Sequence, residues 1–474
     1  MVLSAPGQSL PSASVEVSSR DRHLILAIAI LTNLLGNIGL AGTNMGLPDM
    51  GRELNLSAAM MGWITLSMFM SMAAIAAPGA RMADIWGRRR TTTLGLAVCL
   101  FGLIVSALAW DVASLLVSRA ITGLGLAVVF TNITAMATSV YPPQMRGRVL
   151  GYTISSAYIG LSLGPVICGY LVTVFGWRAI FWLSGIGFLP SFIISLLVKM
   201  EQSPARGEAF DKSGAALWAA AILIFFWGLT HLINLFDGSL FILVGLALAY
   251  GYARHSLKSS TSVLDVQLFA RNRRFAFSSL AAFISYSASM SLGFILSLYL
   301  QYIKDMLPHR AGLILMVQPV CQALVTPFAG RLSDKIDAGL MASLGMLILS
   351  AAITSMALIL TPATSIPIFI GFLLALGVGF SIFSAPNSNA IIGSVLPEKV
   401  GQASGMITAT RLCGQVFSLA LTTLIFSLII GPGQITPDKY PAFMQAATIC
   451  LFFFAPICFT GILASLASGK KSQA

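Results

Sequence analysis

The stretch PGARMADIWGRRR (78–90) lies between two apolar runs, 58–78 and 93–109. Each run is close to the length of about 20 residues that crosses a bilayer as helix. One acid, two glycines and four arginines, three of them successive, between two such runs read as a short connection on the basic side of a membrane. In both directions the pattern continues. Fourteen apolar runs are found, at 24–47, 58–78, 93–109, 113–140, 149–174, 179–198, 213–236, 239–253, 274–300, 311–328, 340–361, 367–392, 402–430 and 443–466. The composition agrees, since 57% of the 474 residues are hydrophobic and only 9% charged, against about 25% charged in soluble domains. A water-soluble globular fold is excluded, and an all-α integral membrane protein with fourteen transmembrane helices is expected.

Charge sets the orientation. With residues 1–22 on the inner side, 21 of the 28 basic residues fall in inner connections and five in outer ones (Arg52, Arg178, Lys304, Arg310, Lys439). The other two, Arg119 and Arg411, lie within spans. Such a bias places both ends in the cytoplasm, so the net charge of +12 is topological and no nucleic-acid partner is expected. Residues 1–22 are rich in Ser, Pro and Ala without an apolar centre and read as a flexible tail. The first span reads as a retained helix in the inner or plasma membrane. The six cysteines form no CxxC pair and sit in apolar runs, so they predict neither a disulfide frame nor a metal site.

Two polar stretches, 199–212 and 254–273, divide the chain. They predict a first six-helix block (23–198), an inserted pair of helices (213–253) and a second six-helix block (274–466), with a short cytoplasmic tail at 467–474. The second block repeats the opening motif. AGRLSDKIDAG (329–339) follows the tenth span as PGARMADIWGRRR follows the second, and each puts an Asp (Asp334, Asp84) beside basic residues at the inner mouth. Matching motifs in two six-helix blocks argue for the internal repeat common in carriers.

These features resemble the major facilitator superfamily, and in particular its fourteen-span drug:proton antiporter branch, over residues 20–468. The second-to-third connection is similar to the family's GxLaDrxGrk signature through Asp84, Gly87, Arg88 and Arg89, although Ala80 stands where Gly is usual. A carboxylate there can pair charges across two rocking bundles and favour one conformation. LLVSRAITGLGLA (115–127) is similar to lxxxRxxqGxgaA, with Thr122 in place of Gln; the resemblance implies a part for Arg119 in proton coupling. An Arg inside the bilayer costs at least about 2.5–3.5 kcal/mol, so a wet cavity or a partner is expected around it. The competing reading is an interfacial Arg that snorkels to the headgroups. YIGLSLGPVICGY (158–170) is similar to the antiporter pattern gxxxGPxxGG at Gly160, Gly164, Pro165 and Gly169. Glycines at this spacing let helix backbones approach, Pro165 permits a bend, and in this superfamily the motif marks exporters. PPQMRGRVLG (142–151) and GWRAIF (176–181) also look like family connectors.

One family feature is missing. The first span of these antiporters usually holds LDxTIVNVALP, and aligning that pattern on Pro48 puts Gly39 at the Asp position. All sixteen acidic residues fall outside the proposed spans, so a mid-membrane carboxylate, the usual proton carrier, is absent. In its place Asn33, Asn37 and Asn44 fall within about 40° of one another on the first helix, either lining a cavity or joining helices. Gln318 and Gln322 share a face of the tenth span, and Arg411 and Gln415 one of the thirteenth. Arg119 and Arg411 together predict an electropositive cavity suited to anionic or neutral substrates. His231, on one stripe of the seventh span with Trp227 and Asn234, is expected to be structural. Trp63, Tyr158, Tyr286, Phe380 and Phe383 are expected to pack rather than to bind.

No catalytic constellation or phosphate-binding loop is found, and no enzyme activity, cofactor or metal is expected. The expected function is secondary active transport by alternating access, as a monomer, with a small organic molecule exported against the proton gradient. The alternative is a facilitator or exchanger of anionic or neutral metabolites without proton coupling. A non-transporting sensor on a carrier fold is the reading from another class.

Overall fold

The computed structural model describes residues 18–259, 262–333, 335–395 and 400–468. Asp334, one of the expected switch residues, lies outside them. Among the described residues sixteen α-helices follow one another. They are α1 (Ser19–Glu53), α2 (Ala58–Trp86), α3 (Arg88–Ala107), α4 (Val112–Ser139), α5 (Pro143–Phe175), α6 (Arg178–Leu197), α7 (Lys212–Thr230), α8 (Leu235–Lys258), α9 (Gln267–Arg271), α10 (Arg273–Leu298), α11 (Pro308–Leu315), α12 (Val317–Ser333), α13 (Ala338–Ile359), α14 (Ile366–Ile392), α15 (Val400–Ile429) and α16 (Tyr440–Ser468). They make fourteen helices long and apolar enough to cross a membrane, α11 and α12 together forming the tenth.

The tenth span is broken where the sequence reads as continuous. Pro319 has no N–H to give to the carbonyl one turn back at Leu315, and the helix is interrupted at Met316. The seventh span ends at Thr230, six residues short of expectation, and His231 is its C-cap. Asn234 belongs to the next helix as the N-cap of α8, so the expected stripe of Trp227, His231 and Asn234 does not exist. His231 instead stacks on Trp227 at 4.4 Å, a packing role.

Packing separates two groups of helices. In the first, α1 packs on α5 and α6, and α4 on α2 and α3; in the second, α10 packs on α15 and α16, and α13 on α14 and α16. The groups meet where α2 lies along α15 and where α5 lies against α11 and α12. The inserted pair α7–α8 docks through α7 onto α2 and α15, with Trp218 Nε1 donating to the Ala73 carbonyl at 3.2 Å. It sits at the seam between the groups. Close approach depends on glycine: a Cβ on Gly123 would lie 2.3 Å from the Met68 carbonyl oxygen of α2, and one on Gly125 2.5 Å from the Gly95 carbonyl oxygen of α3.

The linker 199–212 is ordered by charge. Glu201 accepts from the Arg89 amide at 2.9 Å and lies beside the Arg89 and Arg90 side chains. Arg81 pairs with Glu208. Asp211 caps α7 through the Gly214 amide at 2.8 Å and accepts from the His255 imidazole at 2.9 Å. Burial alone would raise the Asp211 pKa, but those bonds outweigh it and hold the carboxyl below its usual range.

Candidate functional site

Between the two groups lies a cavity of about 510 Å³, lined from α1, α4, α5, α10, α11, α12, α14 and α15. Its walls reach Thr134 and Leu150, close to the ends of α4 and α5 on the face that carries the chain ends. The opposite face is sealed across the groups. Ser297 Oγ donates to the Asn44 carbonyl at 2.8 Å, Gln434 Nε2 to Asn55 Oδ1 at 2.8 Å, and Thr173 Oγ1 meets His309 Nδ1 at 3.3 Å. Toward the face of the chain ends, Thr326 Oγ1 and Tyr158 are joined across the groups by a long contact of 3.4 Å. The cavity therefore opens toward that face.

Its chemistry is uneven. Asn33, Asn44, Gln318, Gln322, Arg411 and Gln415 all reach it. Among the described residues Arg411 is the one charged residue that lines it, and no carboxylate does. The guanidinium is held by Ser388 Oγ at 2.7 Å and lies 5.3 Å over the Tyr286 ring, while its buried Nε lacks a protein partner. The side-chain oxygen of Asn44, another lining residue, is likewise buried without a protein partner. Donor and acceptor capacity therefore remains for a ligand. Tyr158, Tyr286 and Phe380 line the same space, Tyr286 and Phe380 edge to face at 5.3 Å. The sequence treats these aromatics as packing residues; Trp63 and Phe383 do pack, against Trp227 and in the core.

Two expected residues lie elsewhere. Asn37 donates to the Asn33 carbonyl at 2.7 Å and packs on Gly160 of α5, so of the asparagine stripe only its two ends reach the cavity. Arg119 does not line it either. It is 3% exposed, enclosed by Met68, Cys99, Thr122 and Phe181 within the first group. It neither snorkels nor contributes to an electropositive central cavity, and among the described residues the cavity's positive charge comes from Arg411 alone.

The glycine motif of α5 does two jobs. A Cβ on Gly160 would lie 2.3 Å from the Leu34 carbonyl oxygen and one on Gly164 2.8 Å from that of Ile38, so both glycines seat α5 on α1. Gly169 approaches the Pro308 carbonyl of α11 across the groups, where a Cβ would lie 2.5 Å away, and Gly312 returns the contact at Pro165. Pro165 also lines the cavity.

Asp84 pairs with Arg88 at 2.8 Å, one helical turn along the chain. Arg88 Nη1 reaches the Ala135 carbonyl of α4 at 3.4 Å, and the Asp84 carbonyl accepts from the Ala205 amide at 3.0 Å. Gly87, with φ +115°, turns the chain between them. In this conformation the motif binds its own group and the linker; among the described residues it makes no ion pair across the groups. Glu201 is the partner the sequence reading missed, signalled by an acid in the linker facing the run Arg88–Arg90. Because the Asp84–Arg88 pair is partly exposed, its loss costs about 1 kcal/mol or less. Asp84→Asn is expected to leave Tm nearly unchanged and to lower turnover in proteoliposomes. A marked fall in Tm, or full turnover, would remove the switch role.

Two helical groups around a cavity sealed on one face define a membrane carrier. The chain belongs to the Major Facilitator Superfamily, whose sequence model matches residues 26–270 and 278–472. It is 24% identical over 461 residues to the riboflavin transporter RibZ of Clostridioides difficile (strain 630), covering 96% of this chain and 99% of that protein. It is 27% identical over 393 residues to the multidrug resistance protein Stp of Mycobacterium tuberculosis, covering 80% and 71%. A POT-family peptide transporter in an autoinhibited form superposes with a TM-score of 0.71 at 15% identity, covering 95% of this chain and 98% of that one.

Proposed function

We propose that the protein is a secondary carrier that exports small, planar, neutral or anionic organic molecules by alternating access. The observation that carries this reading is the makeup of the central cavity: among the described residues, a single guanidinium, Arg411, set among Asn33, Asn44, Gln318, Gln322 and Gln415, with Tyr158, Tyr286 and Phe380 as aromatic walls and no acid. A lipophilic cation would leave its charge unpaired beside Arg411, which costs affinity. A flat heteroaromatic ring can stack on the tyrosines and use the amide donors and acceptors. Relatives named for riboflavin transport and for multidrug resistance support substrates of this kind.

In this reading residues 23–198 and 274–466 rock about the α2–α15 and α5–α11 contacts, with 213–253 as a spacer at the seam and both chain ends in the cytoplasm. The cavity faces the cytoplasm here, as an exporter must to load, and the Gly160–Pro165 motif supports export. Proton coupling comes with the resemblance to drug:proton antiporters. The acid-free cavity favours the second reading, a facilitator or exchanger that needs no proton. Proteoliposomes under imposed pH gradients separate them, with riboflavin, an aromatic carboxylate and ethidium as probes. Transport of riboflavin or of the carboxylate, without ethidium transport, is expected; the reverse preference would overturn the substrate class. Rates that vanish when the gradient is collapsed would select the antiporter.

A further inference from the structure

We propose that Arg119 holds a monatomic anion of the halide type inside the first helical group, at a site separate from the central cavity. A guanidinium keeps its charge at any working pH, and a buried charge without a counter-charge costs several kcal/mol. Arg119 is 3% exposed, and its protein partners are weak ones. Nη2 lies 2.8 Å from the Met68 thioether, Cζ sits 5.4 Å over the Phe181 ring, and Nε has no partner. The helices enclosing it, α1, α2, α3, α4 and α6, bring no carboxylate to the site.

Beside the guanidinium is a void of about 10 Å³ whose walls include Gly39, Thr43, Thr122 and Ser184. That is roughly the space of one water-sized sphere, so in the parent chain a diffusible organic carboxylate or phosphate is too large. The surrounding hydroxyls are already committed: Thr43 donates to the Gly39 carbonyl at 2.7 Å, Thr122 to that of Ser118 at 2.9 Å and Ser184 to that of Ile180 at 2.9 Å. The free donor is Arg119 itself. A water would satisfy that donor but not the charge, whereas a halide satisfies both. Met68, the flexible neighbour, can yield the extra radius of chloride.

The test is thermal unfolding of the full chain in detergent, in chloride or bromide against gluconate at constant ionic strength. Halide is expected to raise Tm by a few degrees in a saturable manner. Arg119→Met should lose that response. Gly39→Asp combined with Ser184→Ala should also lose it while staying folded without halide: loss of the Ser184 hydroxyl, 2.7 Å from a Cβ on Gly39, makes room for the tethered side chain, whose carboxylate supplies the counter-charge in place of the ion. Should Arg119→Met fail to fold, the Gly39→Asp/Ser184→Ala chain carries the test. Arg411→Gln should keep the full halide response even where it abolishes substrate transport. Unfolding indifferent to halide, a response that survives in the Gly39→Asp/Ser184→Ala chain, or a response lost in Arg411→Gln would each overturn the proposal.

Discussion

Arg411→Gln is expected to raise KM for an anionic aromatic substrate by roughly 10- to 150-fold, the loss of a charge-assisted hydrogen bond worth about 1.5–3 kcal/mol. A neutral substrate of the same shape should change several-fold less. The difference arises because Gln keeps an amide donor near the Arg411 site but removes the one charge that the described residues bring to the cavity. Arg411→Lys restores the charge without the planar fork and should recover part of the loss, since a lysine ammonium sits less well over the Tyr286 ring and beside Ser388 than the guanidinium does. Initial rates in proteoliposomes for the neutral and anionic member of one substrate pair decide it. Equal losses for both would mean that Arg411 shapes the cavity rather than reading charge.

The contrast between Arg411 and Arg119 shows what a sequence of this kind discloses. Apolar length and basic loops suffice to find all fourteen spans, because the bilayer imposes both on the chain directly. Helical periodicity then groups Gln318 with Gln322 and Arg411 with Gln415, and each pair does share the cavity. Periodicity fixes which residues share a face of one helix; it does not say which neighbour that face meets. Arg119 and Asn37 therefore go astray, one into the interior of the first group and the other onto α5. The aromatic walls are illegible for a related reason, since a tyrosine facing a cavity and one facing a packed helix have the same local sequence. Two failures had signals. Pro319 in MVQPV marks the break in the tenth span, and Glu201 stands as an acid opposite three arginines across a short linker.

Substitution of Gly312 or Gly169 by Ala should push the protein out of the conformation closed on the face away from the chain ends. A Cβ on Gly312 would lie 2.1 Å from the Pro165 carbonyl oxygen, and one on Gly169 2.5 Å from that of Pro308. In both cases the obstacle is backbone, which cannot rotate aside as a side chain can. Overpacking of this kind costs about 1–3 kcal/mol per site, and each 1.4 kcal/mol changes a two-state ratio about tenfold. The cost falls on this conformation alone if α5 and α11 part when the cavity opens to the other face. The double variant should thus accumulate in the opposite state and transport slowly. Ser297, buried in the seal and bonded to the Asn44 carbonyl, is a suitable reporter: Ser297→Cys, with the six native cysteines replaced, should react with an impermeant maleimide much faster in the glycine variants than in the parent. Gly371→Ala, where a Cβ meets nothing within 4 Å, is the control and should change neither labelling nor transport. Unchanged labelling in the double variant would mean that α5 and α11 stay together throughout the cycle, and the seal would have to open elsewhere, at Gln434 and Asn55.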